Sequence, residues 1–216
     1  MPCLRQRPRC AVLLILIATL SSSAAGRAQT EQTREAWQRV PDLFAAAGVH
    51  AGARVADIGS GDGFLTVRLA PAVGPSGKVY AVDTDVKAVD GLRQRLTKEG
   101  ITNVAVVIGS EKDPHLSGVE LDAAIVLNAY HEMREGVSVL KHVYDALKPG
   151  GRLVLCEPTP RTPNQPRSDQ MEDHVLDPVL IVDDLRAAGF QVIDRQDSFA
   201  TNWGGTQFGL VAARRP

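Results

Sequence analysis

The sequence has little cysteine, no surplus of either charge and no long apolar run. Of its 216 residues only Cys3, Cys10 and Cys156 are cysteines. Cys3 and Cys10 fall in an N-terminal segment that reads as removable, so Cys156 stands alone and no intrachain disulfide can staple the mature fold. A lone thiol inside the strand-like run Arg152–Glu157 reads as a small core residue rather than a nucleophile. Lysine and arginine number 24 against 25 acids, a formal charge of −1, and the bases beyond the first few residues are scattered among acids. Surfaces that grip phosphates need a basic excess or stripe. No nucleic-acid partner is therefore expected. No apolar stretch approaches the roughly 20 residues that span a bilayer as a helix, so no stable membrane span is expected. Internal repeats and low-complexity blocks are absent as well, and nothing in the sequence bears on oligomeric state.

What is present is one domain's worth of chain, 44% hydrophobic and 23% charged, as in soluble globular proteins. Arg5, Arg7 and Arg9 precede the apolar run Ala11–Leu20 and the small residues Ser21–Ala25. That order is a secretory signal peptide over residues 1–28, with cleavage near Ala25 or Ala28 and a folded domain over 29–216. Export to the periplasm or medium follows, or a cytoplasmic location if the start is misassigned. No cysteine ends the apolar run, so no lipoprotein signal is read.

Trp37, Val40, Leu43 and Phe44 predict a helix from Thr30 to about Gly48, interrupted at Pro41. Beyond it, apolar runs alternate with helix-like stretches. Arg54–Ile58, Lys78–Val82, Val104–Ile108, Leu121–Leu127 and Arg152–Glu157 read as strands. Phe64–Val73, Val86–Glu99, Glu132–Leu147 and Pro178–Ala188 read as helices, with Lys148-Pro-Gly-Gly151 as a stop signal. Strands that are apolar throughout rather than alternating are buried on both faces, which predicts a doubly wound α/β fold with a parallel sheet and helices on both sides. Phe190–Ile193 and Gln207–Val211 predict a closing hairpin. Pro158–Gln170 lacks periodicity and reads as a functional or mobile loop.

The densest chemical signal is Val55-Ala-Asp-Ile-Gly-Ser-Gly-Asp-Gly-Phe64, at the turn from the first strand into the first helix. The dinucleotide fingerprint G-x-G-x-x-G fails by one residue, because Phe64 takes the third glycine's place. Asp57 and Asp62 flank the turn, where they would repel a pyrophosphate. S-adenosylmethionine instead brings a sulfonium and an ammonium, which acids attract. Asp83 ends the second strand, where a carboxylate can accept both ribose hydroxyls. Each acid could also be a turn or cap residue. Their joint placement favours a nucleoside ligand, and S-adenosylmethionine over nicotinamide.

These motifs, with Val82-Asp83, Leu121–Asn128, Leu147–Leu155 and the closing hairpin, resemble class I S-adenosylmethionine-dependent methyltransferases of the ubiquinone/menaquinone-biosynthesis-like, type 11/25 group, over roughly Trp37 to Arg214. The resemblance implies a Rossmann-like seven-stranded sheet whose last strand is antiparallel. It implies Asp57, Gly59, Ser60, Gly61, Asp62 and Gly63 around the methionine part of the cofactor. Asp83 with Thr84 falls at the ribose, and Asn128 with Ala129 on the sulfonium side. Adenine would meet Ser110, Glu111 or Asp113.

Asn128-Ala-Tyr-His-Glu-Met133 follows the fourth strand at the carboxyl end of the sheet. Methyl transfer is largely in-line displacement, so positioning does most of the work and a base is needed only when the acceptor must lose a proton. His131 is the candidate base, with a cap or packing histidine as the bland alternative. Tyr130, Glu157 and His174 are the candidate contacts to a small-molecule acceptor. Asp177 reads as a helix cap before Pro178. His131 and His174 have no close ligand spacing, so no metal is expected. A non-catalytic nucleoside-binding module is the competing function, made credible by export away from the cytoplasmic cofactor supply.

Overall fold

The computed structural model describes residues 30–216. The expected signal peptide lies outside the described residues. The chain divides into two units, one ending at Trp37 and one running from Gln38 to Pro216. Residues 30–37 are helical. In the second unit, α1 (Val40–Ala47) begins after Arg39, whose φ of 51° breaks the helix expected over residues 30–48. Pro41, in the first turn of α1, cannot donate the hydrogen bond that a continuous helix would require there. Then follow β1 (Arg54–Ile58), α2 (Thr66–Val73), β2 (Lys78–Asp83), α3 (Val86–Glu99), β3 (Val104–Ile108) and β4 (Leu121–Leu127). A 3₁₀ turn (Tyr130–Glu132), α4 (Gly136–Ala146), β5 (Leu147–Pro158), α5 (Arg167–Glu172), α6 (Pro178–Ala187), β6 (Gln191–Thr201) and β7 (Gln207–Arg214) complete the chain.

The seven strands form one sheet in the order β3-β2-β1-β4-β5-β7-β6. β1 pairs in parallel with β2 and β4, while β7 is antiparallel to both β5 and β6. The last strand thus runs against the others, as expected. Ala56, Ile58, Ala124, Val126, Leu153 and Leu155 on one face pack with α4 and α6 in a single apolar cluster. The opposite side chains are equally buried, Val55, Ala123, Ile125 and Val154 at 0% exposure, so the strands carry no polar alternation. The two edge strands differ: β3 is only partly buried, and β6 departs further. It is a sheet edge, largely exposed and carrying Asp194, Arg195 and Asp197, charges that discourage pairing with another chain. Among the described residues no helix is long and apolar enough to cross a membrane.

The sheet order reverses direction between β1 and β4. A crevice opens outside the carboxyl ends of the strands at such a switch point. The candidate site sits there.

Candidate active site at the carboxyl end of the sheet

A cleft of about 390 Å³ lies at this point, lined by the ends of β1, β2 and β4. That volume falls within the roughly 300–1,000 Å³ of small-molecule sites. Gly59 and Gly61 form one wall; Asp83, Thr84, Ser110 and Glu111 form another; Asn128 and Ala129 close it. Asp83 is fixed rather than free to swing. Its Oδ2 accepts the Gly61 N–H at 2.7 Å and its Oδ1 the Asp85 N–H at 2.9 Å. Each carboxylate oxygen keeps lone-pair capacity for a ligand hydroxyl. Gly61 has φ 50° and a Cβ there would meet nothing within 4 Å, which leaves bare backbone facing open space. Gly59 is different: at φ 76° its missing Cβ would fall 2.5 Å from the Ala129 Cβ. The β1 and β4 loops therefore touch through a glycine.

The remaining glycine-loop residues stand behind the cleft. Asp57 is buried, its Oδ2 accepting the Thr66 hydroxyl at 2.6 Å, and so ties β1 to α2. Asp62 is exposed and its Oδ1 accepts the Phe64 N–H at 3.2 Å. Gly63 packs on α3, where a Cβ would strike Leu92. None of the three is in the cleft wall. Ser60 is buried with its Oγ unpartnered by protein. Of the three residues proposed to read adenine, Ser110 and Glu111 line the cleft, whereas Asp113 caps its own loop by accepting the His115 N–H at 2.7 Å.

Glu157, at the end of β5, is wholly buried. Its Oε1 accepts the backbone N–H groups of Ala129 at 2.9 Å and Tyr130 at 2.8 Å. Its Oε2 lies 2.6 Å from His131 Nδ1. A carboxylate can only accept, so Nδ1 carries the proton and the lone pair of His131 sits on Nε2. The expectation that Glu157 touches the acceptor is therefore corrected: it shapes the β4 loop and sets the tautomer of His131. Tyr130 is corrected as well. It is 1% exposed, donates from its hydroxyl to Asp184 Oδ2 at 2.9 Å, and packs so closely on Gly136 that a Cβ there would approach its ring to 2.7 Å. Burial and the Asp184 charge push its phenol far above its ordinary value. Arg167 clamps the same Asp184 through both carboxylate oxygens, at 2.9 and 2.5 Å. Tyr130 is a structural anchor between the β4 loop and α6. Cys156 is buried, and burial followed by the neighbouring Glu157 charge raises its thiol well above the usual range, so no thiolate nucleophile forms.

A second, more open cavity of about 760 Å³ adjoins the first, sharing Asn128 with it. Pro158 to Thr162, His174 and the β6–β7 turn line it. The segment expected to be an irregular loop contains α5 and is pinned by the buried Gln170. That side chain donates to the Gln165 carbonyl at 2.8 Å and accepts the Asp177 N–H at 2.7 Å. Asp177 caps α6 through the Val179 N–H at 2.8 Å, as read from the sequence. His174, at φ 55°, and Asn128, at φ 56°, are both left-handed. His174 stands beside His131, ring centroids 5.5 Å apart at 85°.

Comparison with known proteins fits this architecture. A methyltransferase-domain family model matches residues 49–184. A ubiquinone/menaquinone biosynthesis C-methyltransferase of Burkholderia mallei is 32% identical over 114 residues, 53% of this chain and 46% of that protein. A probable cobalt-precorrin-6B C(15)-methyltransferase of Saccharolobus solfataricus is 32% identical over 106 residues, 48% of this chain and 52% of that one. The chain spans about half the length of the curated relatives it matches. A SAM-dependent methyltransferase from Aquifex aeolicus shares the fold at a TM-score of 0.68 and 23% identity, covering 82% of this chain and 89% of that one. With the matched family spanning most of the sheet and its glycine loop, the chain belongs to the methyltransferase-domain family and has the class I methyltransferase fold.

Proposed function

We propose that this protein transfers a methyl group from S-adenosyl-L-methionine to a small-molecule acceptor seated in the second cavity. The observation that carries the reading is the fixed Asp83 carboxylate, facing the cleft from the end of β2 and braced by the Gly61 N–H. Asp83 and Glu111 suit a ribose diol and an adenine amine, and with Glu132 they outnumber the one arginine of the lining, Arg134. An acidic wall favours a sulfonium cation over a pyrophosphate. When bound, S-adenosyl-L-methionine supplies an electrophilic methyl group on sulfur. The chain's own residues then orient and desolvate: Asn128 stands between the two cavities, and the buried His131, held by Glu157, stands behind their walls.

Export of the mature domain belongs to this proposal and rests on the order Arg5–Arg9, Ala11–Leu20, Ser21–Ala25. Fractionation of cells followed by N-terminal sequencing tests it. The cofactor reading is tested by calorimetric titration of S-adenosyl-L-methionine. Wild type binds saturably and Asp83→Ala weakens binding at least tenfold. Unchanged affinity in the variant refutes the placement. An acceptor screen over quinones, phenols, thiols and lipids with labelled cofactor tests the transfer itself.

A further inference from the structure

His131 and Glu132 are neighbours in sequence and His174 follows more than forty residues later, yet each brings one ligand atom to within 4.8 Å of the others. His131 Nε2 stands 3.7 Å from Glu132 Oε1, and His174 Nδ1 stands 3.9 Å from the same oxygen. Bonds of about 2.0–2.1 Å in a tetrahedral site hold ligand atoms roughly 3.3–3.4 Å apart. The two pairs that share Glu132 need to close by only a few tenths of an ångström, and the two imidazole nitrogens stand within 4.8 Å of each other. Glu132 and His174 have the freedom to do so, with side chains 67% and 73% exposed. His131 is the rigid member at 3% exposure.

We propose that these three residues form a binding site for a divalent transition-metal ion of the zinc type. Two imidazoles and one carboxylate are the donors that such ions select over magnesium or calcium. The buried Glu157 supplies the second argument. Ligating histidines typically donate their other ring N–H to a carboxylate, which fixes the tautomer and raises the basicity of the ligating nitrogen. Glu157 does this to His131 at 2.6 Å and leaves Nε2 aimed at Glu132. His174 is presented from a left-handed backbone at φ 55°, a conformation that non-glycine residues keep where the surroundings demand it.

The place of the cluster says what the ion is for. Glu132 lines the first cleft and His174 the second cavity. Three protein donors leave a coordination position open, at the junction where an acceptor must meet the methyl group. Resting on the methyl-transfer reading, the acceptor class is then a molecule with a metal-ligating oxygen or sulfur. His131 serves as ligand, its Nε2 lone pair committed to the ion.

The test is titration of ZnCl₂ into the chelator-stripped full-length protein by calorimetry, with S-adenosyl-L-methionine titrated in parallel samples. One zinc site is expected in wild type. His174→Ala and Glu132→Ala, both at exposed positions, weaken it at least tenfold without lowering the melting temperature. Glu157→Gln, acting through His131, weakens it 10- to 100-fold. Absence of saturable zinc binding overturns the proposal, as does zinc affinity unchanged in both His174→Ala and Glu132→Ala. Cofactor binding without zinc binding refutes the metal site and leaves the methyltransferase reading standing. Zinc binding with these dependences but no cofactor binding upholds the site and refutes that reading.

Discussion

Gly59→Ala is the most direct probe of how the cleft is built. The φ of +76° carries a penalty of about 1–2 kcal/mol for a residue with a Cβ. The new methyl would also lie 2.5 Å from the Ala129 Cβ, where ordinary contact is 3.4–4 Å. Ala129 cannot simply recede, because its N–H is held by Glu157 Oε1 at 2.9 Å and Glu157 is itself fully buried. Overpacking of this kind costs about 1–3 kcal/mol. The two contributions together come to about 2–5 kcal/mol.

A double variant separates them. Ala129→Gly removes the colliding methyl and costs about 0.4–1 kcal/mol through the unfolded chain. The collision then disappears while the dihedral strain stays. Urea denaturation of wild type, both single variants and the double variant should give a coupling of about 1–3 kcal/mol in favour of the pair. Cofactor affinity, lost in Gly59→Ala, should return in part. Additive stabilities, or a Gly59→Ala protein within about 0.5 kcal/mol of wild type, would refute the claim that the β1 and β4 loops are in obligate contact.

Glu157→Gln places an amide N–H₂ or a single oxygen among donors that now share a carboxylate, and should lower stability by about 2–4 kcal/mol. Thermal melts measure the loss, and ¹⁵N spectra of His131 should show the Nδ1-protonated tautomer only while Glu157 is present. Tyr130→Phe leaves Asp184 paired with Arg167 and should cost about 1–2 kcal/mol with cofactor binding unchanged, read by denaturation and titration side by side. Asp122→Asn reports on pH. Burial of Asp122 opposes ionisation, but the Lys148 ammonium at 2.6 Å and the Arg54 N–H outweigh it and hold the carboxyl below its usual value. A depressed folded-state value stabilises above the unfolded value near pH 4 and is lost as pH falls through the folded one. The wild-type advantage over the variant should thus be full at pH 7 and shrink below about pH 4 in urea titrations.

The sheet was legible because its strands are continuous apolar runs, the central ones buried on both faces. Arg54–Ile58, Val104–Ile108 and Leu121–Leu127 coincide with the apolar runs residue for residue. Legibility fails where the apolar run stops. β6 continues to Thr201 through exposed polar residues, held by pairing with β7 that no local pattern encodes. The helix after β4 starts at Gly136 rather than Glu132, because Glu157 takes the backbone donors of Ala129 and Tyr130 and winds a 3₁₀ turn instead. At the site, sequence position places Asp57, Tyr130 and Glu157 near the carboxyl ends of strands. It does not say which way a side chain points from a turn, and all three point inward, to Thr66, Asp184 and the β4 loop. The meeting of His131 with His174 depends on Gln170 pinning α5, a long-range fold that spacing cannot reveal.

One line of contacts joins the two cavities. Gly59 abuts Ala129, the Ala129 N–H rests on Glu157, Glu157 orients His131, and His131 faces His174 in the wall of the second cavity. The first half of this line is sheet and sheet-end backbone, held by the parallel core. The second half is side chains on a segment anchored by the buried Gln170 and the Arg167–Asp184 ion pair, with the Leu176 N–H returning to the Pro158 carbonyl at 2.7 Å. Loops supported by few core contacts tolerate change better than the elements they connect. Substitutions between Pro158 and His174 should accordingly alter which acceptor is methylated while leaving cofactor affinity in place. Those at Gly59, Ala129 or Glu157 should disturb both at once, because the same backbone forms a wall of the cofactor cleft and, through Glu157, orients the His131 ring against which His174 of the second cavity rests.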